Sequence, residues 1–97
     1  MIGQIVTHEK FGYRGVVVDI DFNFGLSDEW YEQVARSRPP KDKPWYRVLV
    51  HSSDQETYVA ERHLACAGGG LPIVHPRLDE FFDKKVGDHY VRTRDLN

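Results

Sequence analysis

The apolar positions of this chain fall in short runs of changing period, and the first two runs read as strands. Ile2 to His8 carries Ile5 and Val6, and Gly15 to Asp21 is a β-branched run that closes on carboxylates at Asp19 and Asp21. A two-residue period puts Val16, Val18 and Ile20 on one face and Val17, Asp19 and Asp21 on the other, the pattern of a strand half facing solvent. Glycines at 12 and 15 punctuate the segment between the runs, which predicts a hairpin with a glycine-bearing loop. From Ser27 to Arg36 the period lengthens. Leu26, Trp30 and Val34 recur every four residues, with Tyr31 and Ala35 beside the stripe, so a short amphipathic helix is predicted there. Ser27 suits its N-cap, Asp28 and Glu29 suit its first turn, and Pro39-Pro40 ends it.

Strand character returns at Pro44 to Val50 and again at Glu56 to Glu61, around a polar turn at Ser52 to Gln55. This is the strongest hairpin pattern in the chain. Gly68-Gly69-Gly70 then reads as a flexible break. Pro76 opens a second short helix with Leu78, Phe81 and Phe82 on one face, Lys84 and Lys85 late, and Gly87 just past its end. Residues 88 to 97 are polar and read as frayed, with Tyr90 and Val91 able to dock. The expectation is a mainly β fold, a small SH3-like β-barrel whose closure hides its strand edges. The barrel spans residues 1–64 with a helical insertion at 22–43, and residues 65–97 form a C-terminal helical tail on the same domain.

Composition narrows the classes of function. The chain has 97 residues, 40% of them hydrophobic, a single cysteine and a net charge of −2. One cysteine excludes an internal disulfide, and no apolar run reaches the length of a membrane span, so a reducing, cytoplasmic setting is expected. The small net charge is a cancellation. Asp19, Asp21, Asp28, Glu29 and Glu32 make 19–32 an acidic stretch of −5, while Arg36, Arg38, Lys41, Lys43 and Arg47 against Asp42 make 36–47 a basic stretch of +4.

Candidate chemistry is thin for an enzyme. The five histidines lack the close pairing of a zinc site, and Cys66 has no accompanying base motif, so no metal, cofactor or catalytic residue is assigned. Asp19 and Asp21 share a strand face but stand apart from any EF-hand or hydrolase pattern. The basic stretch running into Trp45-Tyr46, with Tyr13 and Arg14 at a G-x-x-G turn, has the cation and aromatic mix that holds nucleic acid. Tyr13, Arg14, Arg36, Arg38, Lys41, Lys43 and Arg47 are therefore candidate nucleic-acid contacts. The same basic loop can instead pair with the acidic stretch, and the aromatic residues can be core. Trp45, Tyr46, Phe81 and Phe82 are candidate protein contacts.

Four blocks taken in order resemble one family: residues 3–8 (GQIVTH), 11–21 (FGYRGVVVDID), 44–50 (PWYRVLV) and 57–61 (TYVAE). Together they resemble the HspQ, or YccV-like, family. The resemblance implies an SH3-like barrel with a variable insertion between its second and third main strands, and no catalysis by the domain itself. It implies heat-shock quality control as a specificity-enhancing factor for the Lon protease, linked to turnover of the initiator DnaA. The alternative is a regulator that recognises hemimethylated DNA. The resemblance also implies a homo-oligomer, with a trimer among the candidates.

Overall fold

The computed structural model describes residues 2–67 and 71–92, so the glycine run at 68–70 and the tail at 93–97 lie outside the described residues. The elements run β1 (Ile5–His8), β2 (Arg14–Asp21), α1 (Asp28–Val34), β3 (Trp45–Val50), β4 (Glu56–Ala60), β5 (Leu64–Cys66), α2 (Leu78–Phe81), β6 (Lys84–Val86) and β7 (His89–Val91). Five strands form one antiparallel sheet in the order β4-β3-β2-β1-β5, and β6 and β7 form a separate hairpin. The fold is mainly β with two short helices. The chain leaves β4, makes a 3-10 turn at Glu61–His63 and re-enters as β5 beside β1. One interrupted strand therefore occupies both edges of the sheet. Among the described residues no ladder joins β4 to β5, so the pairing is that of an open sheet.

Strand β2 lies at the centre and differs from its expected facing. A bulge between Val17 and Asp19 shifts its register against β3. Val16 and Val18 pack with Ile5 and Leu49 on one face. Val17 packs with Val6, Tyr46, Val48 and Val59 on the other, and Ile20 joins Val17 rather than Val18. One inserted residue reverses the alternation beyond it, which is why the strict two-residue period misplaced Ile20. The expected half-solvated strand is also corrected, because Val17 is fully buried. Gly15 sits where a Cβ would lie 2.5 Å from the Leu49 carbonyl oxygen and from Val48 Cγ1, so only glycine lets β2 and β3 approach there.

The predicted first helix forms, two residues shorter at its C-terminal end. The Ser27 hydroxyl accepts the Trp30 N–H at 3.1 Å as the cap, and the helix stops where Ala35 leaves helical geometry. Tyr31 and Ala35 bury against Trp45 and Ala60.

The second predicted helix is a correction. Only Leu78–Phe81 is helical, and Lys84–Val86 is a strand. Phe82 is extended and drives its ring into the core at 6% exposure, while Gly87, at φ +61°, makes the turn between β6 and β7 rather than a helix cap. A buried aromatic at this point outweighs the propensity of the lysines that follow. Tyr90 docks on the sheet: its N–H donates to the Gly3 carbonyl at 2.7 Å, and its hydroxyl accepts the Ile73 N–H at 2.9 Å. Ile73, Phe82 and Tyr90 thus cover the face that carries Ile5, Val16 and Leu49.

Candidate functional site

Strand β4 builds the site. The register pairs Val48 with Thr57 and Tyr46 with Val59, and the same alternation places Val50 N–H on the Gln55 carbonyl at 3.0 Å and Glu61 N–H on the Pro44 carbonyl at 3.0 Å. In an antiparallel ladder the hydrogen-bonded positions alternate, so Thr57 and Val59 turn their amides toward β3. Glu56 and Tyr58 turn theirs away. Among the described residues no backbone group meets the N–H or C=O of Glu56 or Tyr58 on that outer side.

A groove of about 530 Å³ runs along this edge. On one side stands the insertion, with Trp30, Val34 and Arg36. On the other stand the β1–β2 loop and the 3-10 turn, with Lys10, Phe11 and His63. Aromatic packing fixes the floor. Tyr58 stacks on Trp45 with ring centres 5.3 Å apart, and Trp30 meets Tyr58 edge-on at 5.7 Å. The Tyr58 hydroxyl donates to Asp21 at 2.6 Å and accepts the Gly25 N–H at 3.0 Å. Burial and the Asp21 carboxylate push the phenol up to about 12, so Tyr58 stays a neutral fixed post at physiological pH.

The opposite wall is a ring stack. His8 lies 4.7 Å from Phe11 and 5.6 Å from His63, nearly parallel to both. The Nδ1 of His8 accepts the N–H groups of Lys10 and Phe11 at 3.2 and 3.1 Å, which requires the neutral imidazole and shapes the loop. Burial first, then neighbouring His63 and Lys10, hold His8 below the usual histidine range. Burial and Arg62 do the same to His63. Ser37 Oγ and His63 Nε2 share a hydrogen bond of 2.9 Å that ties the insertion to this wall.

The structure does not gather the predicted nucleic-acid contacts into one open basic face. Arg38 pairs with Glu32 at 2.6 Å and Lys41 with Asp28 at 3.0 Å, so the basic stretch partly neutralises the acidic one. Arg47 lies in β3, pairs with Glu56 at 3.5 Å and covers the Tyr58 ring. Arg14 donates to the Leu71 carbonyl. Tyr13 is half-buried and its hydroxyl shares a 2.7 Å hydrogen bond with Thr57. Arg36 and Lys43 are exposed and make no ion pair among the described residues.

The predicted protein contacts are mostly inside. Trp45 is 2% exposed beneath Tyr58 in the groove floor, and Tyr46 is buried on the opposite sheet face; Phe82 is core and Phe81 is partly buried beside it. A strand at the sheet centre buries both of its faces once each is covered. Sequence reasoning missed Phe11, which is 71% exposed at the loop tip, and Val34, which is 56% exposed on α1. An aromatic residue set before a turn glycine is the signal that would have found Phe11. For His63, which only the fold brings to His8 and Lys10, there was none.

The geometry defines a small antiparallel β domain with an elongated, largely apolar groove at a sheet edge. Among the described residues no group of three or more His, Cys, Asp or Glu side chains is placed to hold a metal ion, and no helix is long and apolar enough to cross a membrane. Residues 1–89 match the family described as hemimethylated DNA-binding protein YccV like, and the chain belongs to that family. No solved structure matches the chain.

Proposed function

We propose that this domain is a non-catalytic quality-control module of the HspQ type, which binds polypeptide and enhances the specificity of the Lon protease, with DnaA among the proteins whose turnover it affects. The observation that carries this reading is the apolar groove beside β4, set against a basic segment whose charges are largely taken up internally. Apolar grooves with a few convergent polar groups suit peptide, whereas duplex DNA needs several uncommitted cations. The five-strand ladder is read as an SH3-like barrel, supported by a last strand that pairs first with β3 and then, past its 3-10 turn, with β1. A cytoplasmic homo-oligomer, a trimer among the candidates, is carried over from the family resemblance.

The test is degradation of purified DnaA by Lon with and without the full chain. Acceleration is the expected result; an unchanged rate, with no association with Lon, overturns the reading.

A second reading, recognition of hemimethylated DNA, is favoured by the family description and by the uncommitted Arg36 and Lys43. It requires tighter binding to a hemimethylated duplex than to fully methylated or unmethylated ones. It also requires affinity that falls steeply with salt, because each phosphate contact releases counterions. Equal binding to all three duplexes removes it.

A further inference from the structure

We infer that the groove takes its partner by strand addition: an extended segment of an incompletely folded polypeptide, apolar within and acidic at its flanks, pairs with the outer edge of β4. This deepens the peptide-binding reading above and rests on it.

Three observations meet at this edge. The outward N–H and C=O groups of Glu56 and Tyr58 have no backbone partner among the described residues, and unpaired strand edges are templates for another chain. Natural sheets blunt such edges with proline, charged side chains or a bulge; β4 (Glu56-Thr57-Tyr58-Val59-Ala60) has no proline and no bulge, and its single charge, Glu56, is engaged by Arg47 and Arg77. The other edge, β5, is only three residues long, whereas β4 offers five and lies inside the groove.

The walls supply side-chain selection. Side chains of an added strand point alternately to its two sides, toward Trp30 and Val34 on the insertion and toward Phe11 and His63 opposite. Both walls are apolar or neutral at their centres. Lys10 on one wall and Arg36 on the other line the groove and make no ion pair among the described residues. Glu56 is already engaged by Arg47 and by Arg77 at 3.4 Å, so the uncommitted charge in the groove is positive. That charge selects acidic flanks over basic ones.

The experiment uses the full chain and three labelled probes of about nine residues, enough to span the strand. The first alternates valine and threonine between glutamate ends, the second replaces glutamate with lysine, and the third is the first with every second amide N-methylated. Anisotropy reads affinity, and amide exchange followed by NMR reads the edge. The acidic probe is expected to bind saturably and to slow exchange of the Glu56 and Tyr58 amides about tenfold. The lysine and N-methylated probes should each bind about tenfold more weakly, the scale of one or two lost charge or backbone contacts. Glu56→Pro, which removes an outward donor, should weaken the acidic probe similarly; if that variant fails to fold, the exchange and N-methylation results decide.

Binding indifferent to N-methylation, unchanged exchange at Glu56 and Tyr58, or preference for the lysine probe overturns the inference. Concentration-dependent protection of those two amides without any probe also overturns it, by giving the edge to a second copy of the chain. Strand addition without acceleration of Lon leaves the edge assignment standing and removes the quality-control reading. Acceleration of Lon retained in a folded Glu56→Pro variant does the reverse.

Discussion

The insertion between β2 and β3 and the segment after β5 both bring a short helix and several aromatic rings to the same sheet face, yet they do different things there. The C-terminal segment lies flush. Its hairpin is pinned by backbone hydrogen bonds from the Tyr90 N–H to Gly3 and from the Ile5 N–H to Asp88, and Ile73, Phe82 and Tyr90 close over Ile5, Val16 and Leu49. The insertion is held by side chains, through Tyr31 and Ala35 on Trp45, the Gly25 N–H on the Tyr58 hydroxyl and Ser37 on His63, and pairs no strand with the β4 edge. Backbone pairing seals a surface, whereas side-chain packing leaves a wall with a groove behind it. The first segment is therefore a structural cover and the second a boundary of the candidate site.

The largest expected effect that separates them is on stability. Phe82→Ala should cost about 3–5 kcal/mol, because it opens a cavity under the C-terminal cover. Val34→Ala, on the exposed wall, should fall within about 0.5 kcal/mol of the parent. Urea unfolding of both variants checks this, and similar losses would show that the insertion is as much a part of the core as the cover.

Gly3→Ala probes the seal itself. Gly3 has φ +91°, and an added Cβ would lie 2.0 Å from the Tyr90 carbonyl oxygen. The expected outcome is a loss of about 2 kcal/mol or more, with amide protection falling first at Tyr90, whose N–H donates to Gly3. Uniform loss across the five-stranded sheet would instead make the hairpin integral to it.

Acid should act on the groove side. His8 and His63 are both held below their ordinary value of 6.5 in the fold, so below that pH the unfolded chain binds more protons than the folded one. Stability is then full above pH 6.5 and declines as pH falls through the folded values. Protonated His8 cannot accept the Lys10 and Phe11 amides, so exchange at those two sites should quicken first. A loop whose amide protection factors do not change between about pH 7.5 and 5.5, one unit on either side of 6.5, would contradict this.

A modest effect is expected at the ion pairs of the insertion. Lys41→Ala removes an exposed pair with Asp28 and a contact 4.4 Å from the centre of the Tyr31 ring, and should cost about 0.5–1 kcal/mol by thermal unfolding.

Much of the frame was legible because its determinants are local. The β-branched run at 16–18, the hairpin at 45–60 and the Ser27 cap each declare themselves within a few residues. The facing of Ile20 was not, since a bulge depends on how two strands register. Nor was the exposure of the aromatic residues. Trp45 and Phe11 are both rings in strand-and-turn segments, and only the surrounding elements make one a floor and the other a rim.

By itself, the sequence determined the class of the fold, the place of the insertion and the family, because hydrophobic period, caps and motif order are properties of neighbours along the chain. The tertiary structure alone decided that the basic stretch pairs with the acidic one, that Phe82 is core, and that Lys10, Trp30 and His63 frame one groove beside an unpaired strand edge. These meetings join residues that lie outside any one local element, from six positions apart for Arg38 and Glu32 to more than thirty for Trp30 and His63. Register, bulges and the competition for buried space settle them, and no local pattern carries that information.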